Sequence, residues 1–185
     1  MQLLDMLTIN EEPKSKEGLL ETIWKAFDYF PRGIWEEIRF VGNIIVKYDL
    51  KIKTREKIYG AFIFNNLMRK IREIKNVFES RGLLLAVTYD PVISVYHQFE
   101  LESFKRIINL VRDYVSRDVG MLSLFEILDE TATRVAAHGL GHNQGLKHHV
   151  EPIDLMYGSL LDGHSIKRDG FCDECREKLR SNIAS

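Results

Sequence analysis

His138-Gly139-Leu140-Gly141-His142-Asn143-Gln144-Gly145-Leu146-Lys147-His148 is the stretch that decides how this chain is read. His138 and His142 are four residues apart, so on a helix their imidazoles leave the same face, one above the other, and can grip one ion. Two imidazoles alone hold zinc poorly, and a third ligand has to come from beyond the helix. Gly145 supplies the means, because glycine takes a left-handed conformation freely, ends a helix sharply and lets His148 swing back toward the ion. Five of the six histidines fall between positions 138 and 164, three of them in this spacing, and the remaining one, His97, is read as structural.

The pattern HxxxHxxGxxH, with Met156 downstream, resembles the metzincin zinc-peptidase pattern HExxHxxGxxH with its Met-turn. Within that group it is most similar to the archaemetzincins. These follow the third histidine at once with a CxxxxC pair, place the Met-turn methionine two residues after the second cysteine, and close with a phenylalanine before CxxC. Here His149 and Asp154 stand where that first pair falls, Leu155-Met156 follow, and Phe171-Cys172-Asp173-Glu174-Cys175 closes the pattern. Ser159 and Lys167 also stand where the family tends to have Ser and Lys. The likeness is concentrated in residues 132–180; toward the N-terminus it is weaker and rests on Leu85-Ala86-Val87-Thr88 as a strand leading toward the active-site edge.

The resemblance implies a compact mixed α/β (α+β) fold with a twisted mixed sheet, a zinc-binding helix, a Met-turn and a zinc-stapled C-terminal tail. It implies zinc on His138, His142 and His148, with Met156 as the apolar floor beneath them. It further implies a second zinc on His149, Asp154, Cys172 and Cys175, all of which are legitimate zinc ligands. His164 competes for a place in that second set, and a pair of free or redox-active thiols is the alternative to the site as a whole. One or two zinc ions and a peptide ligand or substrate in a cleft below the edge strand complete the expectation.

The chain departs from the pattern at Gly139, which stands in the position of the general-base glutamate. A glutamate there is a base beside the metal and not a ligand, so its loss spares metal binding but removes roughly 10²–10⁴-fold in rate. Glu151 and Tyr157 lie near the third histidine and the Met-turn, and read better as a loop charge and a packing residue than as substitute bases. The expected function is therefore a zinc-binding protein on a peptidase scaffold with little or no peptidase activity. An active zinc hydrolase using another base is the alternative, and a non-enzymatic zinc-stabilised interaction protein is a third class.

The rest of the sequence frames this reading. A chain of 185 residues is long enough for one well-buried core and short for two, so a single domain is expected, with residues 1–130 forming a sheet and its backing helices and residues 131–185 the zinc helix, Met-turn and CxxC tail. A net charge of −1 argues against a nucleic-acid surface. No apolar stretch approaches the roughly 20 residues needed to span a bilayer, and a cytoplasmic location is expected. Strands are expected over 1–9, 38–46, 83–88, 92–99 and 119–127, and helices over 19–30, 55–78 (one or a pair, ended by Gly82), 101–116 and 131–144. Within the last helix Gly139 and Gly141 each cost roughly 1 kcal/mol relative to alanine.

Overall fold

The computed structural model describes residues 2–100 and 103–184. In chain order the elements are β1 (Gln2–Ile9), α1 (Pro13–Phe27), β2 (Trp35–Ile44), β3 (Leu50–Lys53), β4 (Ile58–Ile63), α2 (Phe64–Val77), β5 (Leu83–Thr88), β6 (Val92–Glu100), β7 (Ser103–Leu110), β8 (Asp113–Val115), β9 (Val119–Ser123), α3 (Asp129–Asn143) and α4 (Asp173–Ala184), with a short 3-10 turn over Gly158–Asp162. Met1 of the first expected strand and residues 101–102 of the expected helix over 101–116 lie outside the described residues.

The main sheet has five strands in the order β2-β1-β5-β9-β8, the first four parallel and β8 antiparallel to β9. Its middle strand, β5, is buried at every position, which explains why it reads as a continuous apolar run instead of an alternating one: a parallel strand at the centre of a sheet has helices over both faces. Successive residues divide between the two sides. Leu83, Leu85 and Val87 join Leu19, Ile23 and Ala26 of α1 and Ala136, Ala137 and Leu140 of α3. Leu84 and Ala86 meet Leu67, Met68 and Ile71 of α2 on the other. A second sheet, in the order β3-β4-β6-β7, is carried by the β6–β7 hairpin.

Two expected helices are resolved differently. The segment 55–78 is not one helix or a helix pair but a strand followed by a helix, because Ile58-Tyr59-Gly60-Ala61-Phe62-Ile63 pairs with β3 and β6 before the helical turn begins. The change of state is fixed from outside the segment: the Asp49 carboxylate accepts the Ile63 N–H at 2.8 Å and the Asn66 side-chain N–H at 3.1 Å, taking a donor that α2 leaves unpaired at its start. The described part of 101–116 is likewise strand, β7 and then β8. Its Phe, Ile and Val positions satisfy a helical period, but Phe104, Ile107 and Ile108 pair across the hairpin with β6 and Val115 pairs with Gly120 of β9 instead. β9 ends at Ser123, and Glu126 at φ 55° turns the chain into α3.

Gly82 does something other than stop a helix. α2 has already ended at Val77, with Glu79 in the left-handed region at φ 48°. A Cβ on Gly82 would lie 1.9 Å from the Leu3 carbonyl oxygen, so glycine is what lets the chain enter β5 hard against β1. Gly82→Ala is expected to destabilise the fold by about 1–3 kcal/mol, since backbone has to give way. Gly18→Ala, in α1 and 3.9 Å from its nearest neighbour, should instead stabilise by about 0.5–1 kcal/mol. Urea denaturation of the two variants reads both signs.

Candidate metal centre

α3 carries His138 and His142 on one face, and its C-terminal turn delivers the third imidazole. The helix closes with the Gly145 N–H donating to the His142 carbonyl at 2.9 Å and the Leu146 N–H to the Gly141 carbonyl at 3.0 Å, the paired bonds of a Schellman cap, with Gly145 at φ 78°. This reversal aims the Leu146 carbonyl at the His142 ring, where it accepts from Nδ1 at 3.0 Å. The Leu155 carbonyl does the same for His138 Nδ1 at 2.7 Å. A carbonyl only accepts, so both rings carry their proton on Nδ1 and present a bare Nε2.

The three Nε2 atoms of His138, His142 and His148 face one another at 3.1, 3.1 and 2.9 Å. Tetrahedral ligands about 2.05 Å from one ion would stand about 3.3 Å apart. Lone pairs brought so close repel unless a cation lies among them, so the donor set fits a divalent metal. Burial, reinforced by the neighbouring imidazoles, holds His138 down to about 4, and burial also lowers His148. Those two rings are thereby kept in the neutral form that ligates. His138 is fully buried and His148 exposed, so the centre opens to solvent on the His148 side. Met156 is fully buried below, and a Cβ on Gly141 would fall 2.7 Å from its sulfur; Gly141 is the helix's allowance for that methionine.

A second group gathers one chain segment away. The ligating atoms of His149, Asp154, Cys172 and Cys175 all lie within 4.8 Å of one another. His149 Nε2 is 3.3 Å from Cys175 Sγ and 3.5 Å from both Cys172 Sγ and Asp154 Oδ2. Asp154 is fully buried and accepts the Met156 and Cys172 backbone N–H groups at 2.8 Å each. Burial and the adjoining Cys172 and Asp154 push the Cys175 thiol up, so its thiolate calls for a cation close by, which a bound metal would supply. The two cysteines are not joined by a disulfide. His164 takes no part: its ring sits exposed against the Ser159 carbonyl. Glu151 is an exposed loop residue, and Tyr157 precedes the 3-10 turn, half-buried.

One residue near the first centre escapes sequence reasoning. Asp113, on the edge strand β8, places Oδ2 3.9 Å from His138 Nε2, and among the described residues that oxygen is buried without a hydrogen-bond partner. Burial pushes its carboxyl up to about 6, partly offset by His142. Asp113 pairs with Leu122 of β9, and the two side chains meet α3 at Gly139: a Cβ there would fall 2.6 Å from Leu122 Cδ2 and 3.4 Å from Asp113 Oδ2. Reading 101–116 as helix hides this residue; the clue available was the β-branched and aromatic content of Ile107, Ile108, Val111, Tyr114 and Val115. A cleft of about 840 Å³ opens beside the end of β7, lined by Leu110, Arg112, Leu128, Thr131, Leu160 and Asp162 among others; none of the histidines lines it.

Comparison with known proteins places this geometry. No protein-family model matches the sequence. The chain is 26% identical over 187 residues to an archaemetzincin of Pyrococcus abyssi, covering 99% of this chain and 97% of that protein. It is 27% identical over 163 residues to an archaemetzincin of Pyrococcus horikoshii, covering 78% and 86% respectively. The crystal structure of an archaemetzincin from Methanopyrus kandleri superposes with a TM-score of 0.64 at 18% identity over all of this chain and 97% of that one. That of a zinc-dependent peptidase from Methanocorpusculum labreanum gives 0.54 at 17% identity over 95% and 99%. The mixed α/β fold is the one these structures have.

Because the cap aims the carbonyl that orients His142, Gly145→Ala should cost about 1–2 kcal/mol for forcing a side chain into the left-handed region. It should also weaken metal binding at the three-histidine centre. Thermal denaturation with and without metal, together with a metal-binding titration, checks both.

Proposed function

We propose that this chain, an archaemetzincin homologue by sequence and fold, is a zinc protein on their peptidase scaffold, with one zinc on His138, His142 and His148 and a second on His149, Asp154, Cys172 and Cys175. The observation that carries this reading is the convergence of three imidazole Nε2 atoms at 2.9–3.1 Å, two of them left bare by the carbonyls that take the Nδ1 protons. Zinc held there would polarise a carbonyl and bring the pKa of a coordinated water toward neutrality. His138 and His142 hold position through the carbonyls of Leu155 and Leu146, and His148 leaves the centre open to a substrate. The cleft beside the end of β7, between Arg112 and the segment around Leu160, offers room for an extended peptide.

α3 contributes no proton acceptor, because Gly139 has no side chain. Peptide hydrolysis is accordingly expected to run well below that of a relative with glutamate in that position, by roughly 10²–10⁴-fold. The second centre supports shape: it ties α4 and the loop after the third histidine to Asp154, whose neighbours Leu155 and Met156 orient and underlie the first centre. No helix among the described residues is long and apolar enough to cross a membrane.

Metal analysis of the purified chain should give two zinc per chain. His142→Ala should remove one, and Cys172→Ser the other, with a larger loss of thermal stability in the second case. A zinc content near zero overturns the reading. Peptide turnover at the rate of a glutamate-bearing relative, abolished by chelation, overturns its catalytic half.

A further inference from the structure

We propose that Asp113 supplies from the edge strand the carboxylate that α3 lacks, with Oδ2 as the proton acceptor of the three-histidine centre. The inference rests on the zinc reading above and goes beyond it by naming the carboxylate, beside His138 on the buried side of the three Nε2 atoms, that would carry the residual hydrolysis expected there.

Three observations bear on it. First, position: Oδ2 lies 3.9 Å from His138 Nε2, near enough for a water between carboxylate and metal to touch both, while Asp113 does not join the set of ligating atoms within 4.8 Å of one another. It is placed to hold such a water and not to coordinate the ion. Second, Oδ2 is buried with no hydrogen-bond partner among the described residues. A buried carboxylate oxygen without a donor is costly, and a centre that brings a donor to it removes that cost. Third, a helix-borne side chain would enter space bordered by Leu122 and Asp113 and would have to move the leucine aside. A Cβ on Gly139 would run into Leu122 Cδ2 at 2.6 Å and would stand 3.4 Å from both Cβ and Oδ2 of Asp113. Glycine at 139 and aspartate at 113 are therefore two halves of one arrangement, in which the carboxylate enters from β8 over the place where a longer side chain on α3 would lie.

In peptide hydrolysis the step balances as follows. The oxygen of the attacking water bonds to the carbonyl carbon and the C–N bond breaks. The two protons of the water pass in turn through Oδ2 to the amine nitrogen, leaving a carboxylate and an ammonium. Whatever hydrolysis the chain performs then depends on Asp113.

The test uses the zinc-loaded chain and acetohydroxamic acid, a small chelator that binds zinc as its anion and so hands a proton to an acceptor beside the metal. Asp113→Asn, nearly isosteric, is expected to keep the zinc content and zinc affinity of the parent while weakening acetohydroxamate binding tenfold or more by calorimetry, and to abolish any residual peptide hydrolysis. Unchanged hydroxamate affinity at full zinc loading overturns the proposal while leaving the zinc reading intact. A tenfold or greater loss of zinc affinity in the variant also overturns it, by making Asp113 a ligand. Zinc absent from the parent overturns both. Should the variant fail to fold, a crystal structure of the parent with zinc and acetohydroxamate decides. Oδ2 about 2.5–2.7 Å from a hydroxamate oxygen supports the assignment, whereas Oδ2 about 2.0–2.2 Å from zinc, or turned away, refutes it.

Discussion

Three imidazole nitrogens set about 3 Å apart are the constraint around which the C-terminal third of this protein is organised. The arrangement exists only if each ring is turned correctly, and for the two helix-borne rings, His138 and His142, the turning is done by backbone carbonyls from outside the helix. Leu146 supplies one because Gly145 reverses the chain, and Leu155 supplies another because Asp154 and Met156 anchor the segment to either side of it. Asp154-Leu155-Met156 thus serves both centres: the aspartate faces the cysteines, the leucine carbonyl orients His138, and the methionine lies under Gly141. A helix with two internal glycines gives up roughly 2 kcal/mol of intrinsic preference, and the close approaches those glycines allow explain why that sacrifice is made.

The meaning of Gly139 changes once its surroundings are known. From sequence it is an absence, a position stripped of its base. In the structure it is a contact, the place where α3 comes against Leu122 and Asp113. A glutamate added here would share a buried pocket with a second carboxylate, and two such groups so close cannot both ionise easily, so one would be driven toward its neutral form. Replacing the residue alone therefore does not simply add a base to the helix; the strand-borne carboxylate has to be considered with it.

How much of this was legible depended on whether the determining contact was local. The three-histidine ladder is, since i, i+4 spacing and a left-handed glycine are properties of one short segment, and His138, His142 and His148 were readable as a set. The His149, Asp154, Cys172 and Cys175 grouping was readable only through resemblance, because nothing in the intervening residues says that they meet. The central strand β5 and α1 announced themselves by composition and period. β4, β7 and β8 did not. Their apolar residues fit a helical period almost as well as a strand's, and what decides is pairing with β6 and β9 and the carboxylate of Asp49, all remote in sequence. Gly82 was seen as a stop signal when it is an opening for the Leu3 carbonyl. Asp113 was lost with the misread helix.

That last miss shows how finely the site depends on pairing register. β8 is three residues long, and its side chains alternate: Asp113 meets α3, while Tyr114 turns to the opposite face and packs edge-on against Phe64 of α2 with ring centroids 5.3 Å apart. The register is set by Asp113 opposite Leu122 and is held at either end, where the Ser123 N–H donates to the Arg112 carbonyl at 2.7 Å and the Ser116 N–H to the Val119 carbonyl at 2.9 Å. The Asn143 side chain then donates to the Ser116 carbonyl at 2.9 Å, fastening the end of α3 to the same turn. A slip of one residue would exchange the faces, bringing a tyrosine ring over the histidines and sending the carboxylate away. A short edge strand is ordinarily the least constrained part of a sheet, yet this one is clamped at both ends and tied to the helix, which is the degree of constraint a carboxylate needs if it is to stand at a fixed distance from a metal.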